Sequence, residues 1–226
     1  MPDTISYPAA AQALLNALSE STPGFIARID LSAGQLELSE MLAMSRRTLA
    51  KLSQQRGARN YHRALAAPSE PAELSRLAAD RRGVLAELLV DELLSLGEAE
   101  YTLQPYVSNK PAGGLDLALG GRLYDIKSAG QLSALWSPAA AGRRADDRLI
   151  TINAGDHARY REEGLGGYIC LYFYMRAGVP AAADLFLFTA DQVASLPVQY
   201  PPAHCLRGPR DMRYHSLAIP FPYDIS

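Results

Sequence analysis

The sequence predicts a mixed α/β fold, a central mixed sheet flanked by helices and preceded by a small, mainly helical domain. Three observations carry this. Gly167–Met175 encloses Tyr-Ile-Cys-Leu-Tyr-Phe-Tyr, a continuous apolar run of the kind found in strands buried on both faces. Arg82–Leu96 repeats Val84, Leu85, Leu88, Leu89, Leu93 and Leu96 at helical spacing. Between them, two short strand-like segments flank Gly120-Gly121, a two-residue hairpin signal. A chain of 226 residues, 48% apolar, is long enough for one or two domains with a real core.

Along the chain, the first expected element is a short amphipathic helix, Ala9–Ser19, carrying Leu14, Leu15 and Leu18, with Ser19–Gly24 as its exit turn. Gln35–Leu52 then reads as a helix-turn-helix. Leu38, Leu42, Met44, Leu49 and Leu52 supply the apolar positions, and Ser45 caps the second helix. Ala43 stands where the turn of such a motif usually has Gly. Arg46, Arg47 and Thr48, with Lys51 one turn later, fall at the start of that helix, the part that reaches DNA in such modules. Met41–Ser69 holds six Lys/Arg and no acid, whereas residues 1–40 hold one Arg and five acids. This is a local basic stripe in a chain of net charge −2. A solvated helix face in a bundle fits the same stripe. Residues 1–66 are therefore expected to form a DNA-binding region, and 67–79, with Pro68 and Pro71, a linker.

Residues 80–226 form the expected main domain. The helix Arg82–Leu96 carries Glu87, Asp91 and Glu92, and Gly97 marks its end. A strand-like run, Tyr101–Val107, leads through the turn-rich Asn109–Gly114 to a strand at Leu115–Leu119, the Gly-Gly turn, and a return strand at Arg122–Lys127. Arg148–Asn153 reads as a strand, Asp156–Glu163 as a helix, Asp184–Phe188 as a strand and Thr189–Ser195 as a short helix. Arg143-Arg144 is positioned to hold a DNA phosphate or to lie in a solvated loop, His157 is expected on an exposed helix face, and Trp136 is read as a packing residue. The tail from Pro197, rich in Pro and Tyr, brings Arg207, Arg210 and Arg213 close together, as a DNA- or dimer-contacting arm or as an irregular extension packed on the core.

The chemistry centres on Lys127. Of 22 basic residues only Lys51, Lys110 and Lys127 are lysine, leaving 19 arginines. A compact ammonium fits beside a metal-bound water where a planar guanidinium does not. On the return strand Asp125 and Lys127 share a face, and Asp116 lies across the hairpin from them. Two carboxylates offer hard oxygen ligands to Mg²⁺, and a lysine beside them can orient a water or neutralise developing charge. The pattern thus points to a metal-dependent phosphodiesterase, although an ordinary charged surface hairpin carries the same residues.

The order of helix with an acid, strand, Asp strand and D-x-K strand resembles the PD-(D/E)XK nuclease superfamily, the restriction-endonuclease-like fold, over roughly residues 80–175. The matching elements are Gly83-Val-Leu-Ala-Glu87, Asp116 and Asp125-Ile-Lys127-Ser128; Leu115 stands where that family has the proline of its motif. The resemblance implies that Asp116 and Asp125 bind Mg²⁺, for which Mn²⁺ would substitute. It implies that Lys127 acts on the nucleophilic water and that Glu87 completes the catalytic acid cluster, with Glu92 as the alternative helix acid. The expected function is a Mg²⁺-dependent endonuclease cutting double-stranded DNA, of the type II restriction kind and acting as a homodimer. A repair or structure-selective nuclease would have the same core. A helix-turn-helix regulator with a non-catalytic α/β domain is the alternative from another class; a sheet-based interaction domain leaves the basic stripe unexplained.

Two cysteines, Cys170 and Cys205, give neither a disulfide framework nor a zinc motif. No apolar run approaches a membrane span, so the expectation is a cytoplasmic protein without a membrane partner.

Overall fold

The computed structural model describes residues 3–31, 71–103, 115–130, 149–176, 179–199 and 213–219. Its elements are β1 (Thr4–Ile5), α1 (Tyr7–Glu20), β2 (Gly24–Asp30), α2 (Pro71–Leu96), β3 (Tyr101–Leu103), β4 (Leu117–Leu119), β5 (Arg122–Gly130), β6 (Leu149–Asn153), α3 (Ala154–Glu162), β7 (Leu165–Arg176), β8 (Val179–Thr189), α4 (Ala190–Ala194), β9 (Val198–Gln199) and β10 (Tyr214–Ala218). Seven strands form one mixed sheet in the order β1-β2-β8-β7-β5-β4-β3, and β6-β10-β9 form a second, smaller sheet. The mixed α/β class with a helix-flanked central sheet is therefore as expected.

Both faces of the sheet are covered at β7, where none of residues 165–174 is exposed. Ile169, Leu171 and Phe173 point to one side, where they pack with Tyr124, Ile126, Leu185 and Leu187 under α1 and α2. Tyr168, Cys170 and Tyr172 point to the other, where they meet Phe186, Phe188, Tyr160 and Val193 and the apolar residues of the small sheet, Ile150, Ile152 and Leu217. Alternation with apolar residues on both sides is what produces the unbroken hydrophobic run. β5 and β7 run parallel, with β6 and α3 in the connection between them, while β3-β4-β5 is an antiparallel meander. The β4–β5 turn is made by Gly120 and Gly121 at φ of 56° and 76°, the left-handed pair that a two-residue hairpin needs.

Three expectations change. First, residues 3–31 are not part of a separate unit: β1 and β2 extend the main sheet through β8, and Ala10, Leu14 and Leu18 of α1 pack into the core shared with α2. Second, residues 71–79 are helical rather than linker, because Pro71 opens α2, where its fixed φ and missing N–H are harmless. Third, the tail is not wholly irregular, since β9 and β10 pair with each other and β10 with β6. The end of α2 also works differently. Glu98, not Gly97, takes the left-handed backbone (φ 52°), and Gly97 is where a side chain would collide with Leu15 of α1. The helix-turn-helix segment with Arg46, Arg47, Thr48 and Lys51 lies outside the described residues, as do Arg143, Arg144, Trp136, Cys205, Arg207 and Arg210.

Candidate functional site

The antiparallel register of β4 and β5 ends with Leu117 opposite Tyr124, and Asp116, the residue before it, lies close enough to Asp125 for their carboxyl groups to interact. The hairpin thus brings two carboxyl groups together. β4 itself stops at Leu117. There the Asp116 side chain replaces the missing strand: its Oδ2 accepts the Ile126 N–H at 2.8 Å, and its own N–H donates to the Tyr124 carbonyl at 3.0 Å. Lys127, two residues past Asp125 and on the same face, places Nζ 2.6 Å from Asp125 Oδ2. Asp116 and Asp125 are buried, while the Lys127 side chain is 32% exposed.

Electrostatics define a third acid. The Asp116 carboxyl is pushed well above the usual range by burial first, then by the charges of Asp125 and Glu87, with Lys127 opposing. Glu87, on α2, is buried and within electrostatic reach of Asp116. Glu92 is half-buried and instead lies in the surroundings of Tyr7 and Tyr101. Burial and electrostatic reach thus favour Glu87 over Glu92 as the acid near Asp116. For Lys127, burial works to lower the pKa but is outweighed by Asp125 and Asp116, and the net shift is upward. The lysine is therefore a fixed cation at neutral pH, suited to donating hydrogen bonds and not to taking a proton.

Sequence reasoning missed the wall around this pair. Tyr168 is fully buried and is the cross-strand neighbour of Asp125 on β7. Tyr160, on α3, has its hydroxyl pushed up to about 12 by burial, then by the charges of Asp125 and Asp156. Parity along β7 could have put Tyr168 on one face with Cys170, but only the β5–β7 register tells which face carries Asp125. His157 is corrected from exposed to buried: its Nδ1 pairs with the Tyr168 hydroxyl at 2.7 Å.

Among the described residues, no three His, Cys, Asp or Glu side chains are grouped so as to hold a metal ion. A cation here would rest on the neighbouring Asp116 and Asp125 with water completing its shell, as Mg²⁺ commonly allows. The donor set fits: two buried, neighbouring carboxylates with hard oxygens, and a raised proton affinity at Asp116 that a divalent cation would relieve. A cavity of about 410 Å³ lies elsewhere, between α1 and the β4–β5 turn, lined by Leu15, Ser19, Arg122 and Tyr124 among others and by none of the candidate acids. No family model, curated protein or solved structure matches the chain. No described helix is long and apolar enough to cross a membrane.

Proposed function

We propose that the chain is a Mg²⁺-dependent DNA endonuclease of the PD-(D/E)XK type, with type II restriction as the specific role and a homodimer as the working form. The observation that supports this best is the juxtaposition of Asp116, Asp125 and Lys127 at the point where β4 ends. Two buried acids side by side are destabilising where both would ionise, and a fold that keeps them favours a use for them. The element order, α2 with Glu87, then β3, then the Asp116 segment, then β5 with Asp125 and Lys127, supports the same reading.

In hydrolysis, the oxygen of a water attacks phosphorus in line while the phosphorus–oxygen bond to the leaving nucleoside breaks. Mg²⁺, when bound, supplies Lewis acidity at the phosphate and acidifies a water. Asp116 and Asp125 hold it, with Glu87 adding charge from α2. Lys127 donates to the attacking water or to a phosphate oxygen and offsets negative charge as it develops. Because its pKa is raised, the water's proton leaves to a carboxylate of the cluster or to solvent. The residues proposed to read DNA are Arg46, Arg47, Thr48 and Lys51, with phosphate contacts from Arg143 and Arg144.

Plasmid and phage DNA incubated with Mg²⁺, with EDTA, and with Lys127→Ala protein test this. Discrete bands that need Mg²⁺ and disappear in the variant are the expected result. A smear with the same dependence keeps the nuclease and removes the restriction role. Salt-sensitive DNA binding without cutting moves the assignment to a helix-turn-helix regulator.

A further inference from the structure

On the same side of the sheet as Asp125, two imidazoles that the nuclease reading does not use lie against each other. His157 (α3) and His215 (β10) are both buried, with ring centroids 5.2 Å apart and planes at 74°. Each is held through Nδ1. His157 Nδ1 meets the Tyr168 hydroxyl at 2.7 Å, and His215 Nδ1 lies 3.1 Å from the Leu196 carbonyl, to which it donates. That tautomer of His215 leaves the lone pair on Nε2. His157 Nε2 is buried and has no hydrogen-bond partner. An orphaned buried polar atom costs on the order of 1–3 kcal/mol and calls for a ligand.

We propose that His157 and His215 bind a borderline divalent transition metal, Zn²⁺ being the type case, through Nε2 of each ring. Three features fit. Metal-ligating histidines are oriented by a hydrogen bond at their other nitrogen; here His215 Nδ1 donates to a carbonyl, and His157 Nδ1 is bonded to the Tyr168 hydroxyl, which accepts when the lone pair is on Nε2. Two imidazoles on one tetrahedral ion, at Zn–N of about 2.0–2.1 Å, have ring centroids roughly 5 Å apart. The ring of His157 is also neutral when a metal would need it. Burial first, then His215 and Arg161, bring its pKa down to about 4, with Asp191 opposing. Tyr168 on β7, His215 on β10 and Arg161 on α3 itself are the polar groups around it, and Asp191 on α4, paired with Arg161 at 2.7 Å, supplies the carboxylate of this region. Since no third described ligand is in place, water would fill the remaining positions. The site differs in chemistry from the oxygen donors at Asp116 and Asp125 and does not depend on the nuclease reading.

The test uses the full chain, ¹⁵N-labelled and stripped with EDTA, titrated with ZnCl₂ while the histidine ring nitrogens are observed. Joint movement of the Nε2 signals of His157 and His215 at one equivalent is expected. His215→Ala should weaken Zn²⁺ binding about tenfold or more. Tyr168→Phe, which removes only the orienting hydroxyl, should weaken it about tenfold. Ring nitrogens that do not respond to Zn²⁺ in the unaltered protein would overturn the site, whatever the variants do. So would Zn²⁺ binding that leaves both rings unmoved and disappears in Asp125→Asn, which would assign the ion to the carboxylates instead.

Discussion

Asp116 lies beside Asp125, and the fold stabilises the protonated form of Asp116 because burial and two neighbouring acids penalise its charge. A folded pKa above the unfolded one contributes stability that is complete below the ordinary aspartate value and disappears as pH rises through the raised one. Asp116→Asn keeps an acceptor for the Ile126 N–H and removes the charge. It should therefore unfold at a higher temperature than the unaltered protein at neutral pH in EDTA, lose that advantage in acid, and lose any Mg²⁺-induced stabilisation; thermal melts with and without Mg²⁺ decide this. Lys127→Ala takes away the cation 2.6 Å from Asp125. Cleavage should fall by about 10² or more with DNA affinity nearly intact, and equal cleavage rates would end its catalytic role. Asp116, Asp125 and Lys127 were legible in the sequence because a two-residue turn brings the segments on either side of it together, and a strand puts residues two apart on one face. The choice of Glu87 over Glu92 was not, since helical phase alone put Glu92 on the apolar side.

Among the elements, β2 and α3 carry interactions that no periodicity announces. β2 is fastened to β8 by Arg28, whose Nε and Nη2 reach the two oxygens of Asp184 at 2.6 and 2.8 Å, with Tyr174 of β7 donating to Asp184 at 2.6 Å. Asp184 is fully buried, so Arg28→Leu strands a charge and should cost about 3–5 kcal/mol in urea unfolding; a loss under about 1 kcal/mol would mean that water reaches the carboxylate. β2 escaped sequence reading because a register shift between Phe25 and Ala27 breaks its alternation. In α3, the neutral His157 sets an acid limit. Its folded pKa of about 4 lies below the unfolded value of 6.5, so the unfolded chain protonates first and stability falls as pH drops from 6.5 towards 4. Between pH 7 and pH 5 the loss from this residue should be about 2 kcal/mol in metal-free protein. His157→Gln should flatten that slope in urea titrations at the two pH values.

At the scale of the molecule, the two packed sheets gather residues from both ends of the chain: β1 and β2 of the large sheet come from the first 30 residues and β10 of the small sheet from the last 15. The proposed DNA-reading segment falls in sequence between β2 and α2, both of which belong to the α/β core. Arg46→Ala with Arg47→Ala should weaken DNA binding and shallow its dependence on salt, since each phosphate contact adds about one unit to the slope. An unchanged slope would remove these arginines from the interface.

The sequence by itself determined the local matters. Alternation and a Gly-Gly turn specify β4 and β5, an apolar run specifies β7, and a scarce lysine two places from an aspartate marks the candidate site. These depend on neighbours within about ten residues, where chain geometry leaves few alternatives. Only the tertiary structure decided which elements share the sheet, that Pro71 begins a helix, that Tyr168 stands beside Asp125, and that His157 and His215 meet in the interior. Each of these is set by burial and strand pairing between distant segments, and apolar surface is removed from water without regard to separation along the chain.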